Sequence, residues 1–314
     1  MNTCKLHIVL ILLCCYSVLS AQETAKNKTI TTNHNQNSNA NAGLFDQGNL
    51  KLIASNFSFT EGCSPNEQGD VFFTDQPNDK IWKYSVAGEL SVFLDQSGRA
   101  NGTYFDPKGN LVTCADAKGE LWSIQPDGKM KVLLADFEGK QFNGPNDLWI
   151  TAKGNIYFTD PYYKRDYWTR TGTDLSSNDV YYLPKGAKQA TRVADGMVRP
   201  NGIVGSPDGK HLYISDIGAS KTYRYTIEKK GDLANKELLI AYGSDGMTLD
   251  EKGNIYLTTA EGVLIFNAEG QKIAAIKLPQ QPSNLCFSGK DKQVLFITAR
   301  QAIYTLAMNV KGVE

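Results

Sequence analysis

Apolar and polar positions along this chain change in short runs, and the runs recur. A glycine, one polar or short apolar step and a β-rich stretch appear as Gly69-Asp70-Val71-Phe72-Phe73-Thr74-Asp75. The pattern returns at Gly109-Asn110-Leu111-Val112-Thr113, Gly154-Asn155-Ile156-Tyr157-Phe158-Thr159-Asp160, Gly209-Lys210-His211-Leu212-Tyr213-Ile214-Ser215-Asp216 and Gly253-Asn254-Ile255-Tyr256-Leu257-Thr258. A sixth copy, Lys292-Gln293-Val294-Leu295-Phe296-Ile297-Thr298, lacks the glycine, and the intervals are 40, 45, 55, 44 and 39 residues. That period suits four short strands with their turns, which is one propeller blade. The second repeat parses as Asn101–Asp106, Asn110–Ala115, Glu120–Gln125 and Met130–Asp136, with turn chemistry at Asp106-Pro107-Lys108-Gly109 and Pro126-Asp127-Gly128. No stretch has the 3.6-residue periodicity of an amphipathic helix.

The last repeat supplies only three strands, Ser283–Phe287, Gln293–Ala299 and Ala302–Ala307. Leu50–Ser55 precedes the first inner strand and has no blade of its own. It can complete the sixth blade and hide the open sheet edges. The expected fold is therefore an all-β, six-bladed propeller of four-stranded antiparallel blades, closed by an N-terminal strand. The 55-residue interval needs an insertion, Pro161–Asp179, rich in Tyr, Arg, Asp and Thr. Its aromatics Tyr162, Tyr163, Tyr167 and Trp168 can form a lid over the channel or pack the loop against itself, and loops of that size are often functional.

Ahead of the repeats, Lys5 and His7 precede an apolar run from Ile8 to Leu13, and Leu19-Ser20-Ala21 ends in a small residue. Residues 1–21 read as a secretory signal peptide cut before Gln22, with export to the periplasm or the medium. The run is short for a membrane span. Residues 22–43 hold six asparagines and one large aliphatic, Ile30. Such a segment buries too little apolar surface to offset its ordering entropy. The chain thus divides into the leader, a flexible polar tail over 22–48 and one propeller domain over 49–314.

Composition narrows the chemistry. Of 314 residues, 41% are hydrophobic and 21% charged, an ordinary globular profile. Lys and Arg number 33 against 33 Asp and Glu, which gives no electrostatic reason to expect nucleic acid. There are three histidines, and His7 and His34 fall in the leader and the tail. His211 alone is left, at the start of a blade's outer turn, so histidine-rich zinc sites and serine–histidine catalysis are disfavoured. Cys63, Cys114 and Cys286 remain after the leader, and their wide spacing suits burial as small hydrophobes.

Aligning the repeats puts Glu61, Asn101, Asn146, Asn201, Asp245 and Asn284 in one phase at the inner strands. Asn-Gly and Asp-Gly pairs are also common turn signals. Six in register, all oxygen-bearing and none basic, are poorly explained by turns. In a propeller, equivalent positions converge on the central channel. Two carboxylates and up to four amide oxygens would meet there, and buried carboxylates repel unless a cation neutralises them. Oxygen donors without His or Cys describe a hard cation, best matched by calcium, with zinc, magnesium or manganese as alternatives.

These residues and their contexts resemble the senescence marker protein/gluconolactonase (regucalcin-like) family of calcium-dependent six-bladed propellers, most of all its bacterial gluconolactonase-type members. The resemblance runs from Leu50 to Ala307 and rests on Thr60-Glu61-Gly62, Asn143-Gly144-Pro145-Asn146-Asp147-Leu148, Arg199-Pro200-Asn201-Gly202, Ser206-Pro207-Asp208-Gly209 and Asp245-Gly246-Met247. It implies that Glu61, Asn146, Asn201 and Asp245 bind the catalytic metal and that Asp245 is also base or nucleophile. Asn101, Asn284 and Arg99 are expected to face substrate, although Arg99 reads equally well as a solvated rim arginine. One departure is Cys63, where the family usually has proline.

The implied activity is opening of a sugar lactone such as gluconolactone. The metal would polarise the carbonyl. Rivals are a phosphotriesterase or aryl-esterase on the same metal, and a non-catalytic exported propeller that binds carbohydrate or protein. A strictosidine-synthase-like condensing enzyme would share the fold without needing the Glu/Asn/Asn/Asp set.

Overall fold

The computed structural model describes residues 43–313. The leader, the tail as far as residue 42 and the cleavage motif lie outside the described residues. Six four-stranded antiparallel sheets account for the fold. Five are made of consecutive strands. The first runs Thr60–Pro65, Val71–Asp75, Lys80–Tyr84 and Leu90–Asp95, and the second Ala100–Phe105, Leu111–Ala115, Glu120–Ile124 and Met130–Leu134. The third has Leu148–Ile150, Ile156–Asp160, Asn178–Leu183 and Thr191–Met197, and the fourth Pro200–Gly205, His211–Asp216, Lys221–Ile227 and Leu233–Ile240. The fifth has Met247–Leu249, Ile255–Thr259, Gly262–Phe266 and Lys272–Ile276. In the sixth, Asn284–Ser288, Val294–Ala299 and Ala302–Ala307 are completed by Lys51–Ala54, which pairs with Ala302–Ala307 as the outermost strand. The ring is closed as the repeat arithmetic requires, and among the described residues the only helices are two single 3₁₀ turns.

The second strand of each blade is apolar on both faces because each sheet packs against two neighbours. Val71–Asp75, Leu111–Ala115 and Ile156–Asp160 are buried at every position. Between the sixth and first blades, Phe73, Phe296, Cys286 and Ile303 share one cluster. Cys63, Cys114 and Cys286 are all buried, and among the described residues none forms a disulfide; they pack as small hydrophobes among these layers. Outermost strands are half-exposed, as in Leu90–Asp95.

The folded body starts earlier than the expected tail boundary at 48. Leu44 and Phe45 are 8% and 2% exposed and pack on the last blade, where Phe45 bridges to Met308. Two large apolar side chains are enough to pin a segment whose neighbours are polar. No helix among the described residues is long and apolar enough to cross a membrane.

Candidate active site in the central channel

The six in-phase residues sit where the inner strands begin, side by side around the channel. In the first, second and fourth blades the ladder slips at this point, between Glu61 and Ser64, Ala100 and Thr103, and Pro200 and Ile203. Such bulges turn a side chain out of the regular pleat. Four of the ring residues, Glu61, Asn101, Asn201 and Asp245, are followed by a glycine that lets the next blade approach. A Cβ on Gly62 would lie 2.4 Å from the Asn101 carbonyl oxygen, and one on Gly102 would lie 2.5 Å from Asp147 Oδ1 and 2.6 Å from the Asn146 carbonyl oxygen. On Gly202 it would meet the Asp245 carbonyl oxygen at 2.8 Å, and on Gly246 the Asn284 Cγ at 2.3 Å. None of these four glycines has positive φ. Close approach between blades, rather than turn conformation, requires them.

Hydroxyls complete the circle. Thr159 Oγ1 donates to the Asn201 carbonyl at 2.8 Å, and Ser283 Oγ to the Thr60 carbonyl at 2.6 Å. Thr74 Oγ1 donates to the Asn101 carbonyl at 3.1 Å and Thr258 Oγ1 to the Ser283 carbonyl at 3.0 Å. The aspartate after this hydroxyl fixes the entering loop in three blades. Asp75 accepts from the amides of Ser58 and Phe59, Asp160 from Asn143 and Gly144, and Asp216 from Val198 and Arg199. Burial pushes the Asp160 carboxyl up to about 7, against those two amide donors and Arg170, which favour its charge.

Glu61 and Asp245 form the acidic centre. Glu61 is 5% exposed, and burial together with the charges of Asp245 and Asp147 raises its carboxyl well above the usual range. Burial raises Asp245 to about 6, while hydrogen bonds from Asn201 and Glu61 and the charges of Arg300 and Arg165 hold it down. Asn201 Nδ2 donates to Asp245 Oδ1 at 2.7 Å and to the Tyr163 hydroxyl at 3.0 Å. Both amide protons of Asn201 are thereby taken, and Oδ1 is the atom left to accept or ligate. Asn101 and Asn146 make hydrogen bonds through their backbones, and their side-chain amides have no partner among the described residues. Asn284 stands against Gly246, and its Oδ1 accepts from the Leu285 amide at 2.8 Å. Among the described residues no three His, Cys, Asp or Glu side chains converge to hold one ion. The donor set is two carboxyl groups and neighbouring amides.

The insertion reaches this centre. Tyr163 touches Asn201, and burial and the charge of Asp245 push its phenol up to about 12. Tyr167 and Arg165 both bond Asp116 Oδ2, the latter at 3.0 Å, and Trp168 Nε1 donates to the Asp116 carbonyl at 3.0 Å. Arg170 stacks on Trp168 with its guanidinium 3.7 Å from the ring centre and donates to the Phe142 carbonyl at 2.8 Å. The segment packs on the second and third blades and, in doing so, delivers Tyr163 to the ring. Sequence reasoning gave these residues no individual roles, nor Asp147, nor the hydroxyl series Thr74, Thr113, Thr159, Ser215, Thr258 and Thr298. The last was visible as a Thr or Ser near the end of every second strand.

Arg99 lies on the rim. Its φ is 56°, its amide donates to Asp79 Oδ1 at 2.6 Å, and its guanidinium stands 4.9 Å from the Tyr167 ring centre while bonding the Pro77 carbonyl. His211 begins the second strand of the fourth blade, at the end away from the ring residues, where its amide donates to Ser206 Oγ at 2.9 Å, and it takes no part in the site.

Fold and site together define a six-bladed propeller whose channel holds a polar, acid-and-amide centre. A model of the SMP-30/gluconolactonase/LRE-like region matches residues 59–301, and the chain belongs to that family. Gluconolactonase from Zymomonas mobilis is 28% identical over 294 residues, covering 84% of this chain and 82% of that one. A solved gluconolactonase from Xanthomonas campestris is 27% identical with a TM-score of 0.78, covering 82% of this chain and 89% of that one. The calcium-binding protein regucalcin from Agrobacterium tumefaciens has the same fold at 19% identity and a TM-score of 0.70, covering 83% and 94%.

Proposed function

We propose that this protein hydrolyses sugar lactones such as gluconolactone at the channel ring, using a divalent cation, calcium first. The observation that carries the reading is the Glu61–Asp245 pair, two carboxyl groups close enough for the charge of one to raise the other, with Asn201 bonded to Asp245 at 2.7 Å, in a chain of the gluconolactonase family. Relatives named gluconolactonase and lactonase support lactone opening.

The residues present fit the cation. Two like charges in one buried site are costly, and the pair balances one divalent ion. Glu61, Asn146, Asn201 and Asp245 would hold it, with Asn201 offering Oδ1 and Asn146 an amide that has no other partner among the described residues. When bound, the ion supplies Lewis acidity toward the ester carbonyl and charge neutralisation for the pair. Asp245 accepts a proton from water as the water oxygen bonds to the carbonyl carbon. The ring C–O bond then breaks, the leaving oxygen is protonated, and a hydroxy acid results. Asn201 and Tyr163 orient the Asp245 carboxylate, Asn101 and Asn284 bind the sugar hydroxyls, and Arg99 meets the substrate from the rim. A carboxylate is a weak base, so the site suits strained or activated esters and leaves amides intact.

A panel of gluconolactone, an activated aryl ester and a phosphotriester tests the reading. The lactone is expected to show the highest kcat/KM; a preference for either of the others, or no turnover of any, contradicts it. We also assign the mature chain to the periplasm or the medium, on the leader at Lys5 and Ile8–Leu13 and the Leu19-Ser20-Ala21 motif. Sequencing the exported protein should give Gln22 first, and an intact Met1 would rule this out.

A further inference from the structure

Four arginines lie on the face where the inner strands begin, and of these only Arg165 makes an ion pair among the described residues. We propose that the lactone taken here is anionic, a sugar lactone bearing a carboxylate or phosphate away from the ring ester, gripped by Arg99, Arg165, Arg199 and Arg300. The inference rests on the lactonase reading and narrows its substrate.

Position comes first. Arg99 and Arg199 each stand two residues ahead of a ring residue, Asn101 and Asn201, so the repeat places both on the face where the inner strands begin. Arg300 occupies the turn between Val294–Ala299 and Ala302–Ala307, on the same face, and Arg165 comes from the insertion. Arg165 and Arg199 flank one ring, with guanidinium carbons 5.2 and 4.9 Å from the Tyr163 centroid. The Tyr163 hydroxyl is 3.0 Å from Asn201 Nδ2, itself 2.7 Å from Asp245 Oδ1. Two guanidiniums therefore lie one aromatic ring from the proposed base. The charges of Arg165 and Arg300 are felt at Asp245.

Pairing comes second. Arg165 is bonded to Asp116, whose side chain is 2% exposed. Arg99 and Arg300 bond neutral oxygens, Arg99 the Pro77 carbonyl and Arg300 Gln281 Oε1 at 2.7 Å. Among the described residues neither they nor Arg199 make an ion pair. Nearby aspartates are committed: Asp75, Asp160 and Asp216 accept from backbone amides, and Asp79 accepts from the Arg99 amide and Ser97 Oγ. Gathering unpaired like charges at one mouth costs energy. A neutral lactone, which offers only hydroxyls and the ester, leaves that cost standing. A carboxylate or phosphate matches the guanidinium fork with paired N–H···O bonds and removes it.

The test compares kcat/KM on the full chain for gluconolactone, glucarolactone and phosphogluconolactone, with added calcium and at two ionic strengths. An anionic lactone is expected to exceed the neutral one by about tenfold or more, the value of one charge-assisted hydrogen bond. Salt should erode that preference. Whichever anion leads identifies the group. Arg199→Gln and Arg300→Gln should each lower the anionic-to-neutral ratio by about tenfold, mainly through KM, and Arg199→Lys should restore part of it. Equal rates on neutral and anionic lactones, or a ratio unmoved by both substitutions, overturns the inference and leaves lactone hydrolysis standing. No turnover of any of the three overturns the lactonase reading itself.

Discussion

Asp245→Asn lowers kcat for gluconolactone by about a hundred- to ten-thousand-fold, the range for loss of a positioned general base. The amide is nearly the same size, and its Oδ1 can still accept from Asn201 Nδ2, which now meets Asp245 Oδ1 at 2.7 Å. The ring should therefore keep its shape. One negative charge disappears from the Glu61–Asp245 pair, which removes repulsion and weakens cation binding together. The measurement is steady-state kinetics at saturating calcium, with a thermal melt alongside. Loss of kcat with an unchanged melt is expected. Full activity with cation bound would remove Asp245 from the role of base.

Gly62→Ala destabilises the fold by about 1–3 kcal/mol, the usual cost of an extra methyl in a tight contact. A folded body of this size loses roughly 2 °C of melting temperature per kcal/mol. The new Cβ would lie 2.4 Å from both the Asn101 carbonyl oxygen and the Gly102 Cα, which are backbone and cannot rotate away. The first and second blades must separate at the channel, which spreads Glu61 from Asn101 and lowers activity as well. The sign is the informative part. Gly62 has no positive φ, so a glycine kept only for a turn would gain about 0.4–1 kcal/mol on becoming alanine. A raised melting temperature would contradict the close-approach account.

Much of this was legible in the sequence because the repeat is itself a structural ruler. The second repeat was expected at Asn110–Ala115 and Met130–Asp136 and forms strands at Leu111–Ala115 and Met130–Leu134. Leu50–Ser55 was expected to close the ring, and Lys51–Ala54 pairs with the last strand. The in-phase positions stand on neighbouring blades, Gly62 against Asn101, Gly102 against Asn146, Gly202 against Asp245 and Gly246 against Asn284, as equivalent positions in closed blades must.

What repetition could not show lies in the parts that do not repeat. Tyr163 reaches Asn201 across 38 residues and Tyr167 reaches Asp116 across 51, contacts no local pattern announces. Leu44 and Phe45 were lost in a polar neighbourhood, though two buried aromatic or aliphatic side chains suffice to dock a short segment. The glycines were visible but ambiguous. Their φ values and the distances across the channel separate blade contact from turn chemistry.

The central claim is that the Glu61–Asp245 centre opens lactones with a divalent cation in place. Gluconolactone hydrolysis by the full chain, before chelation, after it and after calcium is restored, tests that most directly. The account predicts activity, then its loss, then its return on calcium addition. Undiminished hydrolysis by the metal-stripped protein would contradict it.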